Sequence, residues 1–305
     1  MTHIGFIGLG HMGAPMARNL LAAGFPVTVY DVDPAAVAAL ESHGAVAASD
    51  VGTCCAEADA LITMLPGPAQ VRDVLVGDGG ALAALRGGAV AIDMSTSSTA
   101  VGREVLEAAR RHDVAVLDAP VAGMAAGAHA GTLSIFVGGD DDVLATVRPV
   151  LEAMGDPARI FHVGGHGAGY GVKLLLNLLW FMHAVAAAEV LTIGARAGID
   201  LAVLRTALIN SPANSNFLEH DVLSVLRDGD YDDAFAMRLV TKDLGLAVDM
   251  ARDVGVPVEM AALVEQIHRR ARARYGDAAG EMSAVRLYED LAGLQLRLQE
   301  VAHVG

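Results

Sequence analysis

The chain has 305 residues, of which 53% are hydrophobic, and its formal net charge at pH 7 is −15. This length allows two domains of ordinary size, and the negative charge argues against nucleic acid or an anionic membrane surface as the main partner. Cys54 and Cys55 are adjacent, a spacing that suits neither a disulfide framework nor a metal site and is typical of the reducing cytoplasm. The histidines form no H-E-x-x-H set, so we expect no catalytic metal.

The most informative motif follows the first predicted strand. Three glycines at positions 8, 10 and 13 have G-x-G-x-x-G spacing between an apolar run and a predicted helix. The first permits a tight turn, the second lets a pyrophosphate approach the backbone, and the third lets helix and strand pack closely. The phosphates would lie at the N-terminus of the helix. The loop predicted to bind a dinucleotide comprises Gly8, Leu9, Gly10, His11, Met12 and Gly13.

An acidic residue, Asp31, ends the second apolar run. In dinucleotide-binding βαβ units, a carboxylate at this spacing accepts hydrogen bonds from the adenosine ribose. A 2′-phosphate beside it would meet a like charge. The sequence therefore predicts NAD as the cofactor, in preference to NADP.

Apolar runs alternate with alanine-rich helical segments through the first half of the chain. Strands that alternate with helices form right-handed βαβ units, whose sheet is mostly parallel. The sequence thus predicts an α/β Rossmann domain, a doubly wound parallel sheet, over residues 1–163. Ser95 and Thr96 follow one strand and are interpreted either as cofactor contacts or as an ordinary turn. The predicted strands are residues 3–7, 26–30, 60–64, 89–93, 114–117, 133–137 and 159–163.

A glycine-rich segment, residues 164–171, precedes a second half that reads as helix nearly to its end. Residues 174–195 are long and apolar, but they include Asn177 and Glu189, which would be costly in lipid. We therefore expect a helix buried between domains or subunits and no membrane span. The sequence predicts an all-α domain for substrate binding and oligomerisation over residues 164–305.

Lys173 begins this apolar stretch, and Asn177 lies four residues later on the same helix face. Partial removal of a lysine from water favours the neutral amine, which suits general acid/base chemistry. A surface lysine beside a packing or capping asparagine explains the pair equally well. Lys242 and Asp243 lie on another predicted helix, where such neighbours are routine.

Four segments together resemble the β-hydroxyacid dehydrogenases, a family that includes 3-hydroxyisobutyrate dehydrogenase and tartronate semialdehyde reductase and shares a 6-phosphogluconate dehydrogenase-like fold. The resemblance implies NAD-dependent hydride transfer between the nicotinamide and a small 3-hydroxy acid, or its semialdehyde, in a homodimer or homotetramer, and the cysteine usage predicts a cytoplasmic protein. The four segments, which occur in the family's order, are residues 8–20, residues 118–123 with 131–133, residues 169–177 and residues 242–244.

The resemblance also assigns roles to single residues. It implies that Lys173 is the catalytic lysine, that Asn177 orients the substrate, and that the backbone N–H of Gly123 helps to hold the substrate carboxylate. The further positions that it places around the cofactor are Leu65, Pro66, Thr96 and Lys242.

The predicted substrate loop departs from the family's pattern, which usually reads Ser-Gly-Gly. This chain has Ala122-Gly123-Met124, so a hydroxyl is lost and a thioether side chain is gained. A missing hydrogen bond to a charged group costs about 1.5–3 kcal/mol of binding. The three residues remain our prediction for the substrate site. The alternatives are a phosphonate, sulfonate or imine substrate on the same scaffold, or a dinucleotide-binding sensor without turnover.

Overall fold

A computed structural model describes residues 2–231 and 235–298, which divide into two compact units after Leu174. The strands of the first unit are β1 (Ile4–Ile7), β2 (Val27–Tyr30), β3 (Val46–Ala47), β4 (Ala60–Thr63), β5 (Val90–Asp93), β6 (Ala115–Asp118), β7 (Val121–Ala122), β8 (Leu133–Gly138) and β9 (Gly155–Gly164).

These strands form one sheet in the order β3-β2-β1-β4-β5-β6-β8-β7, with β9 beside β8. All pairs from β3 to β6 are parallel, whereas β8 runs antiparallel to β6 and β7. The order 3-2-1-4-5-6 is that of the doubly wound dinucleotide-binding fold. The predicted Rossmann architecture is therefore confirmed.

Helices cover both faces of this sheet, because alternate strand residues point to opposite sides. Along β1, for example, Ile4 and Phe6 belong to one buried cluster, while Ile7 belongs to the other. The helices of the first unit are α1 (Gly13–Ala22), α2 (Pro34–Glu41), α3 (Val51–Cys55), α4 (Pro68–Val76), α5 (Ala81–Ala84), α6 (Thr99–Arg111), α7 (Met124–Ala130) and α8 (Asp141–Glu152).

The structure corrects the strand prediction in three places. Strands β3 and β7 were not predicted, since two residues are too few to show an alternating pattern. Strand β9 begins at Gly155, before the predicted residue 159, because the polar residues at its start carry no apolar signal.

The second unit is helical. Its core includes Leu191, Phe217 and Val225, which are fully buried. A π-helical turn, Phe217–Asp221, precedes α11. The helices are α9 (Ala168–Arg196), which begins in the first unit, α10 (Leu201–Ile209), α11 (Leu223–Asp228), α12 (Met237–Asp253), α13 (Glu259–Tyr275) and α14 (Ser283–Ala292).

Helix α9 is long and apolar enough to span a membrane by length and composition. Half of its most apolar window is buried inside the protein, and a single helix of this kind is weak evidence for a membrane span. Its polar residues include Asn177, whose side chain is hydrogen-bonded within the second unit.

The glycine-rich segment before α9 is held by the carboxylate of Asp118, at the end of β6. Oδ1 accepts the N–H of Gly167 at 2.6 Å and lies 3.0 Å from Nδ1 of His166. Nε2 of His166 lies 2.8 Å from the carbonyl oxygen of Gly102. Burial acts to lower the pKa of His166, but the hydrogen bond and charge of Asp118 raise it above its ordinary value.

This attachment explains why the compact units divide after Leu174, whereas the sequence-based domain boundary lies after residue 163. The composition changes at the glycines, but their hydrogen bonds join them to the sheet. Gly169 fits most tightly, since a Cβ there would lie 2.5 Å from the carbonyl oxygens of Asp118 and Phe136.

Candidate functional site

The three glycines of the first loop have three different surroundings. Gly8 has a φ of +97°, and a Cβ there would lie 2.3 Å from the carbonyl oxygen of Met64. A Cβ on Gly13 would lie 1.8 Å from the carbonyl oxygen of Gly8. Gly10 has nothing within 4 Å of its Cβ position. Two glycines are thus required by packing, and the middle one leaves open space where a pyrophosphate can approach the backbone.

Asp31 lies directly against this loop. Its Oδ2 accepts the N–H of Leu9 at 2.6 Å, and its Oδ1 accepts the N–H of Asp33 at 2.8 Å. An ionised carboxylate offers about four lone-pair positions, so it can accept further hydrogen bonds from a ribose. Asp31 is half-buried and the next side chain, Val32, is 88% exposed, so solvent reaches this side of the loop.

The loops after β1, β4 and β5 lie side by side at the carboxyl edge of three adjacent parallel strands. Dinucleotides bind at this edge, where the strand order reverses. Leu65 and Thr96 are half-buried there and Pro66 is exposed. Ser95 is 0% exposed, and its hydroxyl accepts the N–H of Leu65 at 2.8 Å. The structure therefore brings together the residues of this unit that the glycine motif and the family resemblance place around NAD, and their surroundings fit that group.

The predicted substrate loop has an unusual backbone. Gly123 has a φ of +125°, and Met124, which is not a glycine, has a φ of +55°. Left-handed backbone costs a side-chain-bearing residue about 1–2 kcal/mol. The loop thus keeps a glycine-like conformation at Met124, whose side chain is 44% exposed. Ala122 pairs with Ser134 in the short β7–β8 ladder.

Lys173 and Asn177 lie one turn apart on α9, and both are half-buried. Nδ2 of Asn177 donates to Oδ2 of Asp243 on α12 at 2.7 Å. Nζ of Lys242 lies 3.0 Å from Oδ1 of the same carboxylate, which is 1% exposed. Asp243 thereby orients both the Asn177 amide and the Lys242 ammonium.

Sequence reasoning assigned no role to Asp243, because its partner Asn177 is 66 positions away and no local pattern joins them. The composition does, however, point to the two lysines of the proposed site. Of the 21 lysines and arginines in the chain, only Lys173 and Lys242 are lysines. A guanidinium stays protonated in proteins, whereas an ammonium can lose its proton. Lysine therefore occurs only at the two positions that the family resemblance marks.

The two cysteines and the possible metal ligands were the other candidates for chemistry. Burial raises the pKa of the Cys54 and Cys55 thiols to about 12, so neither is a thiolate at neutral pH. Within residues 2–231 and 235–298, no group of three or more His, Cys, Asp or Glu side chains could hold a metal ion.

Two family models match the chain. One is described as the NAD binding domain of 6-phosphogluconate dehydrogenase and matches residues 3–164. The other is described as NAD-binding of NADP-dependent 3-hydroxyisobutyrate dehydrogenase and matches residues 167–288. Together they span both units.

Curated relatives and a solved structure agree with these matches. A 3-hydroxyisobutyrate dehydrogenase from Pseudomonas aeruginosa is 40% identical over 90% of this chain and 95% of its own length. A 2-(hydroxymethyl)glutarate dehydrogenase from Eubacterium barkeri is 37% identical over 96% of this chain and 97% of its own length. The structure of a Mycobacterium tuberculosis 3-hydroxyisobutyrate dehydrogenase with L-serine superposes with a TM-score of 0.88, at 34% identity, and covers 94% of this chain and 99% of that one.

Proposed function

We propose that this chain, which belongs to the β-hydroxyacid dehydrogenase family and transfers hydride between NAD and a 3-hydroxy acid, acts on 3-hydroxypropionates that carry a substituent on carbon 2. The compounds in the relatives' names support this class. 3-Hydroxyisobutyrate, 2-(hydroxymethyl)glutarate and L-serine each join a hydroxymethyl group and a carboxylate through one carbon. They differ only in the substituent on that carbon, which is methyl, carboxyethyl or ammonium.

Lys173 is the proposed acid/base. In the oxidative direction its neutral amine accepts the hydroxyl proton while the carbinol carbon loses a hydride and becomes a carbonyl carbon. In the reductive direction its ammonium returns that proton and stabilises the developing alkoxide. NAD, when bound by the glycine loop and Asp31, supplies the hydride acceptor.

Two further residues orient the substrate in this proposal. Asn177 offers its amide to the reacting oxygen, since its orientation is set by Asp243. The N–H of Gly123 bonds the carboxylate end. The observation that carries the proposal is the Lys173–Asn177 pair on α9, in a chain with no lysine other than Lys173 and Lys242.

A charge-preserving variant tests the mechanism. Lys173→Arg keeps the positive charge but cannot exchange a proton, so we expect turnover to fall about 10²–10⁴-fold. The dissociation constant for NADH, measured by fluorescence titration, should change little. Arg196→Lys, at the exposed end of the same helix, is the control and should retain full activity. Wild-type turnover by Lys173→Arg would contradict the assignment.

A substrate panel tests the chemical class. It comprises 3-hydroxyisobutyrate, L-serine, 2-(hydroxymethyl)glutarate and phosphonate and sulfonate analogues, each with NAD and with NADP. We expect the carboxylates to have the highest kcat/KM. A higher kcat/KM for a phosphonate or sulfonate would indicate that the loop with Ala122 and Met124 binds that anion instead of a carboxylate. If no compound of the panel is turned over, the protein is a dinucleotide-binding sensor.

We also propose that the protein is a cytoplasmic homodimer or homotetramer. The adjacent buried thiols suit a reducing compartment. The surface of α9 supports self-association, because Leu175, Leu179 and Ile193 are 52%, 54% and 67% exposed.

A further inference from the structure

Two buried carboxylates outside the proposed chemistry end neighbouring strands of the sheet. Asp93 on β5 and Asp118 on β6 are partners in the parallel register. Their exposed fractions are 1% and 0%. Burying a carboxylate is costly unless hydrogen bonds compensate. The hydrogen-bond donors to these two carboxylates therefore show which segments of the chain they hold together.

Asp93 accepts hydrogen bonds from three side chains. Its Oδ1 accepts the hydroxyls of Thr63 at 2.7 Å and Ser95 at 2.5 Å, and its Oδ2 accepts the hydroxyl of Tyr170 at 2.6 Å. Burial raises the pKa of Asp93, and these hydrogen bonds oppose that rise. Burial and the nearby Asp93 charge raise the pKa of Tyr170 well above its ordinary value, so the proton of this bond stays on the phenol.

Tyr170 is held at its backbone as well as its ring. Its N–H donates to Oδ2 of Asp118 at 3.0 Å. Its ring lies against α6, where a Cβ on Gly102 would lie 3.0 Å from it. Tyr170 itself is 0% exposed. The first turn of α9 is thus fastened to the carboxyl ends of β5 and β6.

The same network reaches the predicted cofactor loops. Ser95 donates to Asp93 and accepts the N–H of Leu65. One continuous hydrogen-bonded chain therefore runs from Leu65 through Ser95 and Asp93 to Tyr170. It joins the loops after β4 and β5 to the helix that carries Lys173.

We propose that Asp93 and Tyr170 are positioning residues that hold Lys173 in place relative to the cofactor loops. Tyr170 lies three residues before Lys173, about one turn away on the same helix, α9. If the hydrogen bond between the Tyr170 hydroxyl and Asp93 is lost, a shift of this helical turn therefore also moves Lys173. The inference rests on the proposed role of Lys173.

Tyr170→Phe breaks the hydrogen bond to Asp93 and keeps the ring and the backbone bond to Asp118. Because a misplacement of about 1 Å can cost about 10²-fold in rate, we expect kcat for 3-hydroxyisobutyrate to fall between about tenfold and a hundredfold. KM and the NADH dissociation constant should stay near their wild-type values. Tyr288→Phe is the matched control, since Tyr288 donates to Glu189 at 2.9 Å within the second unit. That variant should keep wild-type kcat.

Lysine NMR provides a readout that needs no turnover. Protein labelled with ε-¹³C lysine gives signals from Lys173 and Lys242 alone. In Tyr170→Phe, we expect the Lys173 signal and its titration midpoint to shift, while Lys242 is unchanged. A wild-type enzyme inactive on the whole panel would overturn the proposed function, and this NMR comparison would still decide the positioning role.

Asp93→Asn provides a second, independent variant. It alters the same hydrogen bond from its other end, so the double variant with Tyr170→Phe should lose no more activity than the more affected single variant. The inference is overturned if Tyr170→Phe and Asp93→Asn leave both kcat and the Lys173 signal as in the wild type. Equal losses in Tyr170→Phe and Tyr288→Phe would also overturn it, since they would show a general effect on folding.

Discussion

Asp31 is the side chain on which the proposed choice between NAD and NADP depends. Its carboxylate is already oriented by the N–H groups of Leu9 and Asp33. It therefore presents a fixed negative charge where the 2′ position of the adenosine ribose would lie. A hydroxyl there can donate a hydrogen bond to it, whereas a phosphate is repelled.

Asp31→Asn removes the charge and preserves the shape. Since a hydrogen bond to a charged group is worth about 1.5–3 kcal/mol, we expect kcat/KM with NAD to fall about 10- to 100-fold. The ratio of NADP to NAD activity should rise. Asp33→Asn is the control, because the neighbouring Asp33 only caps α2 through the N–H of Ala35. An unchanged cofactor ratio in Asp31→Asn, measured by steady-state kinetics, would exclude this role.

At the level of single residues, the sequence predicted more about the cofactor than about the substrate. The surroundings of the three glycines follow from backbone geometry that any such loop must satisfy. Met124 is different, since nothing local indicates that a methionine would keep a φ of +55°.

Among the elements, α9 combines the two proposed roles of catalysis and assembly. Its first turns carry Lys173 and Asn177, and its apolar composition predicted a buried helix. The structure buries only half of its most apolar window. The exposed leucines Leu175 and Leu179 lie one turn apart on it.

We expect sedimentation velocity to show a dimer or tetramer at micromolar concentration. Leu179→Glu should shift the protein towards the monomer, because it introduces a charge into a desolvated contact. Val46→Glu, on the 61% exposed edge-strand residue of the first unit, should leave the assembly unchanged. A wild-type protein that sediments as a monomer would contradict the proposed assembly.

For the whole molecule, the buried histidine His268 makes one contribution to the response of stability to acid. His268 is 0% exposed in the helical unit, and its Nδ1 lies 2.9 Å from the carbonyl oxygen of Val264. Its ring meets that of Phe181 edge-on. Burial lowers the pKa of His268 from 6.5 to about 4, so the folded protein holds it neutral.

The sign of the pH effect follows from this lowered pKa. Below pH 6.5 His268 is protonated in the unfolded chain, whereas in the folded chain it stays neutral down to about pH 4. The contribution of His268 is therefore complete above pH 6.5 and is lost as the pH falls towards 4, by about 3 kcal/mol at most. Urea unfolding at pH 7.5 and pH 5 measures this loss. His268→Phe should reduce the difference between the two pH values, whereas His43→Gln, at an exposed position, should not.

The sequence by itself determined the α/β class, the dinucleotide loop and the Lys173–Asn177 spacing. Each of these depends on residues within a few turns or one βαβ unit, where periodicity and backbone sterics act locally. Only the tertiary structure decided how these parts are held. Asp243 meets Asn177 across 66 positions, and Asp93 meets Tyr170 across 77. Such contacts depend on how the chain folds back on itself, because a buried carboxylate takes whichever donors the completed fold brings within reach.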